Sequence, residues 1–298
     1  MKYHTPVLLN ECIEGLNIRP EGIYVDVTFG SGGHSREILE RITSGRLIAF
    51  DRDKDASANL IEDERFFFIH QDFRYLKNFL KFQGIQNIDG LLADLGISSW
   101  QIDQAERGFS TRLNGALDMR MDKGQEITAA TIINSYSAVQ LIQLFRMYGE
   151  IDNAKKLTDA ILQERAIQRI ESTETLKNIM LGVAPRGKEN QYLAKAFQAI
   201  RIEVNEELDA LRDLLKNAND ILRPGGRMVI ISYHSLEDRL VKNYFRTGNF
   251  EGIPVKDFFG RQIAPLLPVN RKAIIPTETE QQANPRSRSA KLRIAEKI

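Results

Sequence analysis

The sequence of 298 residues predicts a doubly wound α/β sheet interrupted by an all-helical insertion. Three observations carry this expectation. Short β-branched or aromatic runs end in glycine or aspartate and are followed by segments of helical period. The strand signal vanishes between about residues 109 and 195, and it then resumes toward the end of the chain. The expected organisation is a discontinuous α/β domain over 1–108 and 196–298 with a helical subdomain at 109–195.

The elements follow in order. Ile23-Tyr24-Val25-Asp26-Val27-Thr28 reads as a strand ending at Gly30-Ser31-Gly32-Gly33, with a helix following through Ile38 and Leu39. Leu47-Ile48-Ala49-Phe50 stops at Asp51, Phe66-Phe67-Phe68-Ile69 stops before Asp72, and Gly90-Leu91-Leu92-Ala93 stops at Asp94. Near-continuous apolar runs of this kind suit parallel strands covered on both faces. In the insertion, Ser137 with Gln140 fits a capping box ahead of a face made by Leu141, Leu144 and Phe145. Further helices are expected around 154–165 and 173–180. Leu208, Leu211, Leu215, Ala218 and Leu222 share a helical face, Pro224-Gly225-Gly226 stops it, and Met228–Ser232 is a fifth strand. Lys291–Ala295 is a last strand candidate after a Pro-punctuated stretch that carries no assignable pattern.

Composition narrows the classes of function. The chain is 27% charged and 42% hydrophobic. At this length about three quarters of the unfolded surface can be hidden, so a core forms without covalent staples. Cys12 is the single cysteine, and neither C-x-x-C nor H-E-x-x-H occurs, which removes a disulfide scaffold and the common zinc signatures. No metal is expected. The start lacks an apolar h-region and no run of about 18 apolar residues occurs, so the expectation is a soluble, cytoplasmic protein. Net charge is +1, but from Lys256 onward nine Lys/Arg face four Asp/Glu, net +5, against −4 for the rest. Such a tail is either a solvated surface or a footprint for phosphate.

The candidate chemistry gathers after the strands. Glycines let backbone approach a ligand closely. Asp51, twenty-one residues after Gly30, stands where a carboxylate accepts from ribose hydroxyls. A dinucleotide fingerprint would need a third glycine where Ser35 stands, which disfavours a nicotinamide-dependent dehydrogenase. Asp72-Phe73 extends the same edge, an acid for an adenine amine and a ring for its face, although a lone phenylalanine is more often core. Asp94-Leu95-Gly96-Ile97-Ser98-Ser99-Trp100-Gln101 packs an acid, hydroxyls and an amide where a doubly wound sheet holds its reacting group. His234 ends the fifth strand, as a structural or a reacting histidine. Acids after successive strands without a phosphate-gripping loop suit a nucleoside whose charge is a sulfonium, S-adenosylmethionine.

Longer motifs carry a resemblance. They are His4-Thr5-Pro6-Val7-Leu8-Leu9-Asn10-Glu11, the Asp26 to Ser35 loop, Asp94-Leu95-Gly96-x-Ser98-Ser99, Arg107-Gly108-Phe109-Ser110 and Leu117-Asp118-Met119-Arg120-Met121-Asp122. Phe197-Gln198-Ala199-x-Arg201-Ile202-x-Val204-Asn205, His234 to Arg239 and Asn284-Pro285-Arg286-Ser287-Arg288-Ser289-Ala290 complete the set. In this order and nearly end to end, the chain resembles the ribosomal RNA small subunit methyltransferase H family, the 16S rRNA cytidine N4-methyltransferases.

That resemblance implies a Rossmann-like class I methyltransferase sheet. It also implies a bacterial cytoplasmic enzyme that uses S-adenosylmethionine to methylate N4 of a cytidine in the decoding region of 16S rRNA. The family's cofactor contacts fall on Gly32, Gly33, His34, Asp51, Phe73, Asp94 and Gln101. The family usually has proline at Trp100 and phenylalanine at Tyr233, and the stretch at 192–196 departs from its pattern. The chemistry suggests Asp94, Ser98 and His234 as catalytic candidates, because a poorly nucleophilic exocyclic amine must be oriented and relieved of a proton. Arg107, Arg112, Arg120, Lys123, Arg286, Arg288, Lys291 and Arg293 are candidate RNA contacts. For Arg107 and Arg120 the alternative is local pairing with Asp103 or Asp118. A non-catalytic RNA-binding factor on the same scaffold is the remaining reading.

Overall fold

The computed structural model describes residues 6–298. His4 and Thr5 of the first motif lie outside them. The chain divides into two units, one built from residues up to Gly96 together with Leu208–Ile298, the other from Ile97–Glu207. The boundaries differ from 109 and 195. Residue 196 falls inside an unbroken helix, Glu189–Asn205, which apolar period alone extends without marking an end.

In the first unit, helix α1 (Leu9–Leu16) precedes strand β1 (Ile23–Asp26), followed by α2 (Gly33–Arg41), β2 (Arg46–Asp51), β3 (Phe66–His70), α3 (Leu76–Phe82) and β4 (Ile88–Asp94). The second unit holds α4 (Ser99–Asp103), α5 (Ala129–Ser135), α6 (Ala138–Gly149), α7 (Ala154–Ile167), α8 (Thr173–Val183) and α9 (Glu189–Asn205). The chain then continues as α10 (Glu207–Ile221), β5 (Leu222–Ser232) and α11 (Ser235–Thr247). The Pro-punctuated stretch becomes β6 (Val255–Lys256), β7 (Gln262–Ile263), β8 (Leu266–Pro268) and α12 (Glu278–Ala283), ahead of β9 (Lys291–Lys297).

Seven strands form one sheet in the order β3-β2-β1-β4-β5-β9-β8. β3, β2, β1, β4 and β5 are parallel, whereas β9 runs antiparallel to both β5 and β8. The order reverses between β1 and β4, which is where a doubly wound sheet opens its ligand crevice. The helix stop expected at Pro224-Gly225-Gly226 is instead a bulge inside β5. Ile88 pairs with Leu222 and Gly90 with Arg227, so the intervening residues loop out, with Gly225 at φ +78°.

The sheet strands are apolar because both faces are covered. On one face Leu16, Ile38, Leu39 and Ile42 pack with Leu47, Leu92, Val229, Ile231, Leu292 and Ile294. Phe29 packs at 5.3 Å centroid distance against both Phe66 and Phe68. Two polar ties close the periphery. Glu280 Oε1 accepts from the N–H of Leu8 at 2.8 Å, and Arg293 Nε donates to Asp238 Oδ1 at 2.6 Å, fastening β9 to α11.

The second unit has its own core, including Phe145, Leu157, Ile161, Leu176, Met180, Phe197 and Ile200. The Ser137–Gln140 capping box is present at the start of α6. Among the described residues no helix is long and apolar enough to cross a membrane.

Asn205 closes this unit. Fully buried, its Oδ1 accepts from Met121 N at 2.8 Å, and its Nδ2 donates to the carbonyls of Met119 and Arg201, each at 2.8 Å. Met119 is held in the left-handed region at φ +59°. Asn205→Leu would strand the buried N–H and carbonyls together. A loss of about 2–4 kcal/mol is expected in denaturant unfolding, with Asn205→Asp losing no less, because its second carboxylate oxygen would face the carbonyls of Met119 and Arg201 with no proton to donate.

Candidate active site

β1 delivers the glycine turn. The N–H of Val27 donates to Leu92 O at 3.0 Å and that of Phe29 to Phe50 O at 2.9 Å, so the strand's neighbours hold the chain until it bends. Gly30 and Gly32 then take φ of +51° and +76°. A Cβ on Gly32 would lie 2.9 Å from the Phe29 ring, and one on Gly33 would lie 2.2 Å from Pro6 Cγ. At Gly30 a Cβ would approach nothing nearer than Thr28 O at 3.9 Å, so that part of the turn is open. Beneath the turn Asp26 is buried, accepting from Ser35 Oγ at 2.7 Å and from Thr28 N at 3.0 Å. Burial pushes its carboxyl up, and the Ser35 hydrogen bond and His34 oppose that. His34 is itself buried, its Nε2 3.1 Å from Val7 O.

Asp51 ends β2. Its Oδ2 accepts from Gly30 N and its Oδ1 from Asp53 N, each at 2.8 Å, so it braces the turn from below. Burial raises its carboxyl to about 6 against these hydrogen bonds. Phe73 follows β3 half-buried, but Asp72 is engaged: Arg52 Nη1 is at 3.3 Å, Arg74 Nε at 3.6 Å and Arg74 N at 2.8 Å. An adenine amine would have to share that carboxylate with two guanidinium groups.

Asp94 ends β4. Its N–H donates to Thr28 Oγ1 at 2.7 Å, and its Oδ1 accepts from the Tyr233 hydroxyl at 2.7 Å. Gly96, at φ +103°, brings the chain past the Tyr233 ring, where a Cβ would sit at 3.3 Å. His234 caps α11, its Nδ1 accepting from Glu237 N at 3.3 Å while its Nε2 lies 3.2 Å from Glu237 Oε1. A neutral ring that accepts at Nδ1 carries its proton on Nε2. To take a substrate proton at Nδ1 this histidine must give up the cap.

The parallel strands thus bring Gly32, Gly33, His34, Asp51, Phe73 and Asp94 to one edge of the first unit. Ser98 and Gln101 belong to the second unit, directly after the β4 turn. Gln101 N donates to Ser98 Oγ at 3.2 Å and Ser98 N to Gln101 Oε1 at 3.0 Å, so both side chains cap α4.

The eight cationic candidates separate. Arg107 is only 2% exposed, donates to the carbonyls of Arg120 at 3.1 Å and Met121 at 2.9 Å, and stacks 5.6 Å from the Trp100 ring. Its expected role as an RNA contact is corrected, because a guanidinium buried under its own loop does not reach a phosphate. Arg120 forms a fork on Asp118, with Nε and Nη2 both at 2.8 Å, so local pairing describes it. That guanidinium holds Asp118 below the usual carboxylate range against the effect of burial. Arg293 is pinned to Asp238, and Lys291 lies 3.5 Å from the same carboxylate. Arg112, Lys123, Arg286 and Arg288 are exposed.

Sequence reading did not find Tyr233, Thr28 or Ser35 as supports of the site. Tyr233 and Ser35 donate to carboxylates, Thr28 Oγ1 accepts from the Asp94 N–H, and only Ser35 and Thr28 sit within a motif that could have signalled it.

Asp51 makes a pH-dependent contribution. Its folded value of about 6 exceeds the ordinary 3.8. The folded state therefore holds the proton more tightly, and the group's stabilisation is complete below about pH 4 and lost above about pH 6. Relative to Asp51→Asn, the native chain should lose at most about 3 kcal/mol between those limits, with a flat difference above them, in urea unfolding read against pH.

The sequence profile of the MraW methylase family matches residues 1–298. The chain is 52% identical over 298 residues to ribosomal RNA small subunit methyltransferase H of Bacteroides thetaiotaomicron, covering 100% of this chain and 98% of that one. It is 54% identical to the protein of that name from Cytophaga hutchinsonii, covering 99% of each. Among solved structures, an rRNA methylase from Streptococcus thermophilus superposes with a TM-score of 0.43 at 12% identity, over 97% of this chain and 93% of that one. Matched along its whole length by the family profile and at half identity by these relatives, the chain belongs to the MraW methylase family.

Proposed function

We propose that the protein transfers the methyl group of S-adenosylmethionine to the exocyclic N4 of a cytidine in the decoding region of 16S rRNA. The observation that carries this reading is the placement of Asp51 and Asp94, two carboxylates with raised proton affinity, on one sheet edge beside an open glycine turn. The names of relatives that match end to end support small-subunit rRNA as the substrate.

The residues fit such a donor. Gly30 leaves open space at the turn, Gly32 and Gly33 admit no side chain, and Asp51 is the acceptor for a ribose diol. Phe73 would lie against the base and His34 beneath the turn. When bound, the donor supplies an electrophilic methyl on a sulfonium. The chain's own part is orientation. Cytosine N4 shares its lone pair with the ring, so it must be held in line at about 3–3.5 Å. Asp94 accepts an amino hydrogen of N4 and thereafter the proton released, since His234 spends Nδ1 on its cap. Ser98 shapes the turn that follows.

The base must leave its stack at a cost of a few kcal/mol, offset by phosphate contacts from Arg112, Lys123, Arg286 and Arg288. The helical unit reads rRNA shape in this scheme, in the cytoplasm and on the small subunit.

Mass-spectrometric mapping of 16S rRNA from cells with and without the gene tests the reaction. One decoding-region cytidine should lose its N4-methyl in the deletion strain, and an unchanged map would refute the assignment. In calorimetry Asp51→Ala should weaken S-adenosylmethionine binding at least about tenfold, while NAD produces no heat. Removing Arg286 and Arg288 together should lower the salt slope of rRNA binding by about 0.7 per lost contact, and an unaltered slope would place both outside the interface.

A further inference from the structure

Asp94 is in an unfavourable place for a carboxylate. It sits at the end of a buried strand, with Asp26 and Glu237 adding negative field, and Cys12 of α1 faces the same group. Burial and these neighbours favour the protonated form, which would cost Asp94 its ability to accept from a substrate amine. Two features oppose this. His34 at the start of α2 acts from the turn side, and the Tyr233 hydroxyl donates directly to Oδ1 at 2.7 Å.

The Tyr233 geometry is directional. A phenol that donates to a carboxylate stabilises the anion, and it occupies one oxygen only. Among the described residues Asp94 Oδ2 accepts no hydrogen bond, while the Asp94 N–H is held by Thr28 Oγ1 at 2.7 Å. The carboxylate is thereby fixed at its backbone and at one oxygen, with the second oxygen left over. Burial and the Asp94 charge keep the phenol protonated, so it remains a donor across the neutral range. The Tyr233 ring is fixed in turn: its backbone N–H donates to Glu237 Oε2 at 2.9 Å, and Gly96 passes against its face.

The geometry points to the Tyr233 hydroxyl as a positioning residue that keeps Asp94 ionised, turns Oδ1 inward and presents Oδ2 to the nucleophilic amine. This rests on Asp94 being the amine acceptor of the proposed reaction. The hydroxyl itself touches neither substrate nor donor.

Tyr233→Phe is the test, because it removes one oxygen and leaves the ring in place. Single-turnover methyl transfer to 30S subunits is measured from pH 5 to 9. Carboxyl-carbon NMR of ¹³C-Asp-labelled protein follows the Asp94 titration without donor or RNA, with the resonance assigned through Asp94→Asn. The inference expects the acid limb of the rate profile and the Asp94 midpoint both to move up by about one pH unit. Rates should converge at high pH, where the carboxyl ionises without help. An unmoved Asp94 midpoint overturns the inference, as does a rate lowered equally at every pH, which would mark a packing role. Native protein that methylates no cytidine would refute the proposed reaction instead. The NMR titration would still decide whether Tyr233 controls Asp94.

Discussion

The arrangement depends on parallel pairing of β1 with β2 and β4. Asp26 lies in register with Ala49 and Leu92, and Asp94 with Ile231. Strands that run the same way and stay in register must end at the same edge. Aspartates at three strand ends therefore meet although they are far apart in the chain. A slip of one residue would turn each carboxylate to the opposite face. Register is secured by the apolar side chains on both faces of the sheet, so packing of Ile38, Leu47, Leu92 and Val229 governs the geometry of the chemistry.

Gathering carboxylates in this way opposes folding, since each loses hydration. The structure compensates each one differently. Asp51 takes two backbone N–H groups, Asp26 a hydroxyl and an N–H, and Asp94 a phenol. The first two are bound to the glycine turn or the helix after it, so the hydrogen bonds that tolerate the charge also set the turn's shape. Asp94 is fastened across the sheet to the residue after β5. At Asp51 the two hydrogen bonds that hold the turn work against the cost of burying the carboxylate.

In the helical unit the motif residues that look most like ligand contacts are internal supports. Arg107 and Arg120 hold carbonyls and Asp118, and Asn205 ties the end of α9 to Met119 and Met121. Here conspicuous charge in the sequence marks loop architecture. Of the eight candidate cations, the less conspicuous Arg112 and Lys123 are exposed, as are Arg286 and Arg288 in the tail.

Much of the fold was legible because period, glycine and strand-end aspartates are local signals. Apolar runs define β1 to β5, Ser137 and Gln140 define a helix start, and the glycine turn with Asp51 locates the crevice. What the sequence could not determine were pairings between distant residues. The bulge at Pro224–Gly226 read as a helix stop because only its partner strand β4 makes it part of the sheet. The second unit boundary falls at residues 207 and 208 because α9 and α10 follow one another almost without a break, which an apolar period does not mark. Tyr233 read as a departure from a family pattern until folding set its hydroxyl on Asp94. Arg107 read equally as a phosphate contact or a locally paired side chain until its loop closed over it. The amino-acid order determines which elements form and which residue types stand at their ends, because those depend on near neighbours. Burial and hydrogen-bond partners depend on surfaces that exist only once the elements have packed, and these decided which charges are available for chemistry.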